Sequence, residues 1–353
     1  MLDVVVEIIL FFVIFTAIVV AHEGGHCLIA KKRGIRVNEF MVGIGPAIMS
    51  FERGGTKYSL RILPLGGACL YDSLDESLRD ENDEHAFMNS PVGDRIATVF
   101  AGPLFNFLLA FFFSLFIVGS IGIDRPIIHS VMDGYPAKEA GIKAGDEIVS
   151  LNGERIYLYR DISMFTLFYE NGESVDVVYK RDGELYKTTL TPKFYEEENR
   201  YLFGFSGSMG RQKVGVLKVI GYSAYEVKYW ISATIKSIGL MFKGRFSKDD
   251  LQGPVGVAQA IGDTYKESKQ DGIYYVWLNM MSIAVLLSSN LGVMNLLPIP
   301  AFDGGRLLLL FVEVIRRKKA DMKVEAVINV IGMIAILAIM GYVMINDISR
   351  LFR

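Results

Sequence analysis

Residues 4–30 form an almost unbroken apolar run, and it closes on two histidines and a glutamate in AIVVAHEGGHCLIAKK. About 20 apolar residues in a helix cross the hydrocarbon core of a bilayer. In hydrocarbon every backbone amide and carbonyl needs an internal partner, so a segment of this kind has to be a helix. Ionisable side chains at that depth are costly and are kept for function or for pairing inside a helix bundle. His22, Glu23 and His26 are therefore the residues that need explaining.

Three further runs have spanning character: about 96–121, a segment that starts near Tyr274 and breaks at LLPIP, and about 324–345. Charged residues are dense in the acidic stretch 70–83 and between 124 and 199, and sparse in the apolar runs. With 51% hydrophobic residues and a mean hydropathy of +0.33 over the chain, this is the pattern of a polytopic α-helical membrane protein with an inserted water-soluble domain. A net charge of −2 gives no sign of a nucleic-acid partner, and none is expected. Cys27 and Cys69 make no disulfide framework and read as small buried residues. The first run is preceded by Asp3 and by no Lys or Arg, unlike a secretory signal peptide. The basic clusters KKRGIR and Arg316–Lys319 belong on the cytosolic side by the positive-inside rule, which puts both termini and the inserted domain outside.

His22 and His26, at i and i+4, share one helix face and suit two zinc ligands. Glu23 is placed to act as general base toward a water at such a metal. Gly24 and Gly25, poor residues for a helix interior, are expected to let another backbone come close. A catalytic zinc needs a third protein ligand. His85, in DENDEHAF, and His129, in the outer domain, read as solvated surface residues. Asp303, in NLLPIPAFDGG, is the better candidate. Pro298 and Pro300 break the third run there, Gly304 and Gly305 allow a tight turn, and irregular backbone at membrane depth survives where it lines a cavity. On the residues alone, an ordinary Asp-Gly turn stays open for Asp303, and a structural pair for the two histidines.

The ordered set HEGGH, GPLFNF (102–107) and NLLPIPAFDGG (295–305) resembles the site-2 protease family of intramembrane zinc metalloproteases. Within it, the bacterial branch that cleaves anti-sigma factors is the nearest in pattern. GIGP, LPLGG and GPVGV are further matches, and the resemblance runs over nearly the whole chain. It implies zinc held by His22, His26 and Asp303, with Glu23 as catalytic base. It implies substrate contacts at Asn290 and Asn295, and at Gly43 and Gly45 in a membrane-associated β-loop. VNEFMVGIG and TKYSLRILPLGG independently read as short strands bounded by glycines. An edge of such a loop could pair with an extended substrate, or the loop could be purely architectural. The implied substrates are single-span membrane proteins, such as anti-sigma factors or signal-peptide remnants, cut within the bilayer of the bacterial cytoplasmic membrane. The active site is expected to open toward the cytosol.

SVMDGYPAKEAGIKAGDEIVSLNGERI and VDVVYKRDGELYKTTLTP, the latter a hairpin across RDG, resemble a single PDZ domain, a mixed α/β fold. It could bind peptide or act as a steric gate. Some members of the branch carry two such domains in tandem, whereas this chain has room for one. Val216–Arg245 is amphipathic and suits a helix at the membrane interface rather than a fifth span. The expected division is 1–35, first transmembrane helix; 36–70, β-loop; 71–94, cytosolic acidic loop; 95–121, second transmembrane helix; 122–207, PDZ domain; 208–273, interfacial helix and connection; 274–316, broken third transmembrane helix with Asp303; and 317–353, basic turn, fourth transmembrane helix and C-terminus. Three rivals predict otherwise. A PDZ scaffold has no use for Glu23, a metal transporter needs ligands along a path, and a tethered soluble protease would not bury HEGGH among apolar residues.

Overall fold

The computed structural model describes residues 2–71, 83–169, 172–196, 200–244, 252–318 and 322–351. Most of the expected acidic loop, 72–82, and Lys319 of the basic turn lie outside the described residues. The chain divides into two compact units, Met1–Phe113 with Ser237–Arg353, and Ser114–Lys236.

The first unit opens with helix α1 (Leu2–Lys32), with Asp3 in its first turn and Lys31 and Lys32 in its last, signs that suit the helix dipole. Gly34, at φ 77°, ends it, and Ile35 N–H returns to Ala30 O at 2.9 Å. Strands β1 (Glu39–Arg53) and β2 (Thr56–Leu70) follow, joined across Gly54 and Gly55, both at positive φ. Each strand bends, so the pair makes a four-segment sheet. Residues 39–42 lie between 57–60 on one side and 67–70 on the other, and 57–60 also pair with 49–52. Residues 67–70 thus form an edge. Within the sheet the Ser59 hydroxyl donates to Glu39 Oε1 at 2.6 Å and, with Lys57 and Arg61, holds that carboxyl below its usual range.

Helix α2 (Val92–Ile121) crosses α1 where Gly25 faces Ala101, as a Cβ at Gly25 would stand 2.5 Å from the Ala101 carbonyl oxygen. The close approach expected of the glycine pair therefore rests on Gly25 alone; Gly24 has nothing within 4 Å.

In the Ser114–Lys236 unit, the end of α2 leads into β3 (Ile123–Asp124), β4 (Ile128–Val131), α3 (Pro136–Glu139), β5 (Glu147–Leu151), β6 (Glu154–Arg155), α4 (Tyr159–Phe168), β7 (Val175–Arg181), β8 (Glu184–Leu190), β9 (Lys193–Tyr195), β10 (Arg200–Leu202), β11 (Phe205–Ser208) and β12 (Arg211–Gln212). A four-stranded sheet in the order β6-β5-β7-β8 covers a core that includes Ile128, Ile148, Leu151, Val175 and Phe203. The hairpin expected across RDG is β7–β8. Its two central residues, Asp182 and Gly183, both have positive φ, as a tight hairpin turn requires. Arg181 binds Asp146 through two bonds of 2.7 Å and the Gly141 carbonyl at 2.8 Å, tying this hairpin to the loop that precedes β5. This is the expected mixed α/β insertion.

Helix α5 (Val216–Phe242) follows, then α6 (Pro254–Asp271), α7 (Ile273–Leu296), α8 (Asp303–Arg316) and α9 (Met322–Leu351). The span expected as one interfacial helix plus a connection holds two helices. Helix α6 packs Ile261 and Tyr265 against Phe11, Ile14 and Ile18 of α1 and Val276, Met280 and Ala284 of α7. Its first turn is capped from α9, where buried Asp347 accepts from Gly253 N–H and Gly256 N–H at 2.9 Å each. Four described helices are long and apolar enough to cross a membrane: Asp3–Lys32, Val92–Ile121, Ile273–Leu296 and Ala326–Arg350. Helix α5 is not among them.

Candidate metal centre

Two imidazoles on α1 and one carboxylate on α8 converge. His22 Nε2 and His26 Nε2 are 3.3 Å apart, and Asp303 Oδ2 lies 3.1 Å from the first and 3.2 Å from the second. The i, i+4 spacing brings the two rings together edge-on on one face of α1, and both residues are buried, at 8% and 6% exposure. Asp303 reaches them because the chain breaks. Helix α7 stops at Leu296, residues 297–302 are irregular, and α8 starts at Asp303 itself. Gly304 and Gly305 are packed so tightly against the carbonyls of residues 296–299 that a Cβ at either would collide with backbone. Helix α9 supports the break. Asn329 Oδ1 accepts from Ala301 N–H at 3.3 Å, and Gly332 lies against Pro300. Ala301 itself sits at φ 73°.

The hydrogen bonds behind the rings decide what the front atoms can do. His26 Nδ1 lies 2.9 Å from the Thr98 carbonyl, an acceptor only, so Nδ1 carries the proton and Nε2 presents a lone pair. His22 Nδ1 lies 3.1 Å from Asn106 Nδ2, and exchanging the two ends of that amide would bring its oxygen to the ring. With the amide oxygen turned to the ring, Nδ1 donates and the second Nε2 is also left as an acceptor. Asp303 Oδ2 is buried without a hydrogen-bond partner. Three acceptors facing one another at 3.1–3.3 Å repel unless a cation lies among them. Ligands at about 2.0–2.1 Å from a tetrahedral zinc stand about 3.3 Å from each other. The donor set therefore fits zinc in type and spacing, with room for a fourth position. Among the described residues this trio is the one group of three or more such side chains able to hold a metal.

The rings and the carboxylate open on a cavity of about 420 Å³, which Glu23, Asn295, Gly66, Gly67, Cys69 and Tyr71 also line. Glu23 of α1 and Cys69 of the β-loop's edge segment line this cavity together. The Asn295 amide is 3.5 Å from His22 Nε2. Asn290, Gly43 and Gly45 are not among the residues lining this cavity; the glycines that do line it are Gly66 and Gly67 of LPLGG. His85 is exposed, with Nδ1 2.9 Å from the Gly34 carbonyl, and His129 is exposed on β4.

Two residues of GPLFNF hold parts in the site that the sequence reading did not assign. Asn106 sets the His22 ring. Gly102 leaves the space in front of both rings, since a Cβ there would overlap His26 Nε2 and stand 2.9 Å from His22 Cε1. Their signal was a glycine and an asparagine four apart, on one face of an otherwise apolar run.

The sequence model of peptidase family M50 matches residues 10–339. Among curated relatives, the regulator of sigma-W protease RasP of Bacillus subtilis is 30% identical, the match covering 98% of this chain and 99% of that one. The zinc metalloprotease RasP of Geobacillus kaustophilus is 30% identical, with 100% of both chains covered. The Bacillus alignment runs over 426 positions, more than the 353 residues present here, so that relative carries insertions this chain lacks. A PDZ domain from Listeria monocytogenes aligns with 24% of the chain and 85% of its own at 18% identity and a TM-score of 0.22.

Proposed function

We propose, because this chain belongs to peptidase family M50, the site-2 proteases, that it cuts single-span membrane proteins within the bilayer, with His22, His26 and Asp303 holding the zinc and Glu23 as general base. The chain is an intramembrane zinc metalloprotease; what is proposed is the role of each residue and the substrate class. The observation that carries the assignment is the convergence of three lone pairs from α1 and α8 beside Glu23 in one buried cavity.

Zinc at this position supplies a Lewis acid that makes water acidic and polarises a carbonyl. Glu23 takes the proton of the attacking water and returns it to the leaving amine. Asn295, whose amide lies 3.5 Å from His22 Nε2, would donate to the substrate carbonyl. A helical substrate hides its peptide bonds in internal hydrogen bonds, so it has to be drawn out. The edge segment 67–70, whose neighbours Gly66 and Gly67 line the cavity, suits pairing with an extended strand. Gly43 and Gly45 of the same β-loop, and Asn290, next in the chain to the cavity-lining Leu291 of α7, complete the proposed substrate contacts. The inserted PDZ domain faces outward with both termini, and the active site opens toward the cytosol next to Lys31 and Lys32. The name of the Bacillus relative, a regulator of sigma-W protease, supports anti-sigma factors as substrates.

The test compares wild type with Glu23→Gln on a panel of candidate single-span proteins, including anti-sigma factors and signal-peptide remnants, with metal analysis of both purified proteins. Zinc is expected in both and cleavage only in wild type. Cleavage by Glu23→Gln at the wild-type rate would overturn the assignment of the base. Zinc retained by an Asp303→Ala variant at wild-type affinity would overturn the ligand set.

A further inference from the structure

Within the Ser114–Lys236 unit a second cavity, of about 690 Å³, is lined by Arg125, Gln212, Lys213, Lys218 and Tyr222 with the backbone and side chains of 214–217. Its depth relative to a membrane follows from the chain. Helix α2 is a spanning helix that ends at Ile121. Gly122, at φ 77°, turns the chain, and β3 at once pairs with β12. The residue after β12 is Lys213. Val118, in the last turn of α2, is buried in a cluster with Ile123 and Leu158, against which Val214, Val219 and Tyr222 pack. The walls of this cavity therefore stand at the level where α2 leaves hydrocarbon, which is the level of lipid headgroups.

The chemistry of the lining matches that depth. Arg125 is neutralised by Glu147, through two bonds of 2.7 Å. Lys213 and Lys218 are exposed, and among the described residues neither ammonium group has an ion-pair or hydrogen-bond partner. Between them Val216 and Leu217 are 80% and 86% exposed. Two neighbouring aliphatic side chains bare to water, flanked by two unpaired ammonium groups, make an unfavourable surface in solution and a favourable one at an interface. Tyr222 adds the amphipathic ring that such an interface favours.

We propose that this cavity binds the phosphate of an anionic phospholipid in the leaflet at which α2 ends, with Val216 and Leu217 inserted among its acyl chains. The ligand is a lipid rather than free phosphate, because a free ion leaves the two aliphatic side chains without a role. The site fastens the first turn of α5, and hence the outgoing strand β12, to the bilayer surface.

The experiment uses the full chain in detergent with phosphatidylglycerol or phosphatidylcholine added, and counts lipids retained in native mass spectrometry. Wild type is expected to retain phosphatidylglycerol in preference. A Lys213→Ala/Lys218→Ala variant should lose that preference by about fivefold per lysine. A Val216→Ser/Leu217→Ser variant should lose affinity for both lipids while keeping the preference. Equal retention of phosphatidylglycerol by wild type and the lysine variant overturns the proposal. So does displacement of the lipid by millimolar inorganic phosphate with no effect of the Val216→Ser/Leu217→Ser change, which would mark a soluble-anion site. All four side chains are exposed, and unchanged melting of each variant checks that folding is not the cause.

Discussion

The substitution Gly102→Ala adds one methyl group at the point where α2 passes the two imidazoles. Its carbon would overlap His26 Nε2, stand 2.5 Å from His26 Cε1 and 2.9 Å from His22 Cε1. Carbon atoms rest at about 3.5–4.0 Å, so both rings must retreat by the better part of an ångström. The His26 ring cannot do so without stretching its 2.9 Å bond to Thr98, which belongs to the same helix as the intruding methyl. The His22 ring is held at 3.1 Å by Asn106, again on α2. Losing one such outer contact costs about 10–100-fold in metal affinity. With both rings displaced, the expected fall is about 100-fold or more. The fold should survive, since Ala gains about 1 kcal/mol over Gly in a helix interior, against about 1–3 kcal/mol of overpacking. The assay is a zinc titration of the purified full chain against a chromophoric chelator. Gly93→Ala, on the same helix with nothing within 4 Å, is the control and should bind as wild type does. If Gly102→Ala binds zinc as tightly as the control, the metal does not lie against this backbone, and the reasoning fails.

Asn106→Leu keeps the volume but removes the amide that lies 3.1 Å from His22 Nδ1, and should weaken zinc binding by about 10–100-fold while the melting temperature changes little; unchanged affinity in the same titration would show that Asn106 does not set the ring. Arg95, 2% exposed, binds Glu313 of α8 at 2.5 and 3.0 Å and the Ser90 carbonyl at 3.1 Å. Arg95→Met strands that carboxylate and should cost about 3–5 kcal/mol, read as a lowered melting midpoint. The double variant Arg95→Met/Glu313→Leu should regain most of it, and a double variant as unstable as the single one would refute the pairing.

The residues that were legible in the sequence share a property: their signal is local. HEGGH declares its geometry by helical spacing, and the hairpin at Asp182–Gly183 by its turn residues. Asp303 stands beside two prolines and two glycines that announce a break in an apolar run. What was not legible depends on which distant segment comes alongside. Nothing in GPLFNF says that its glycine will face His26 and its asparagine His22, because that follows from the crossing of α1 and α2 at Gly25 and Ala101. The two glycines of HEGGH looked alike, yet only one lies on the crossing face. Gly43 and Gly45 drew notice over Gly66 and Gly67, but the bends that place 67–70 at the edge come from long-range register. Helix α6 escaped because its buried face is short and partly made of Gly256, Gly262 and Ser268, and the exposed Lys266 and Lys269 beside it pair with Glu7 and Asp3 of α1.

The support that α9 gives to the turn before Asp303, through Asn329 and Gly332, has a bearing on biosynthesis. A ribosome delivers the histidine pair early and the carboxylate late. The clamp that orients the carboxylate emerges later still, in the final helix. A nascent chain therefore carries a two-toothed half-site through most of its insertion. The proposed trio is then oriented only once α9 has followed the carboxylate into the membrane.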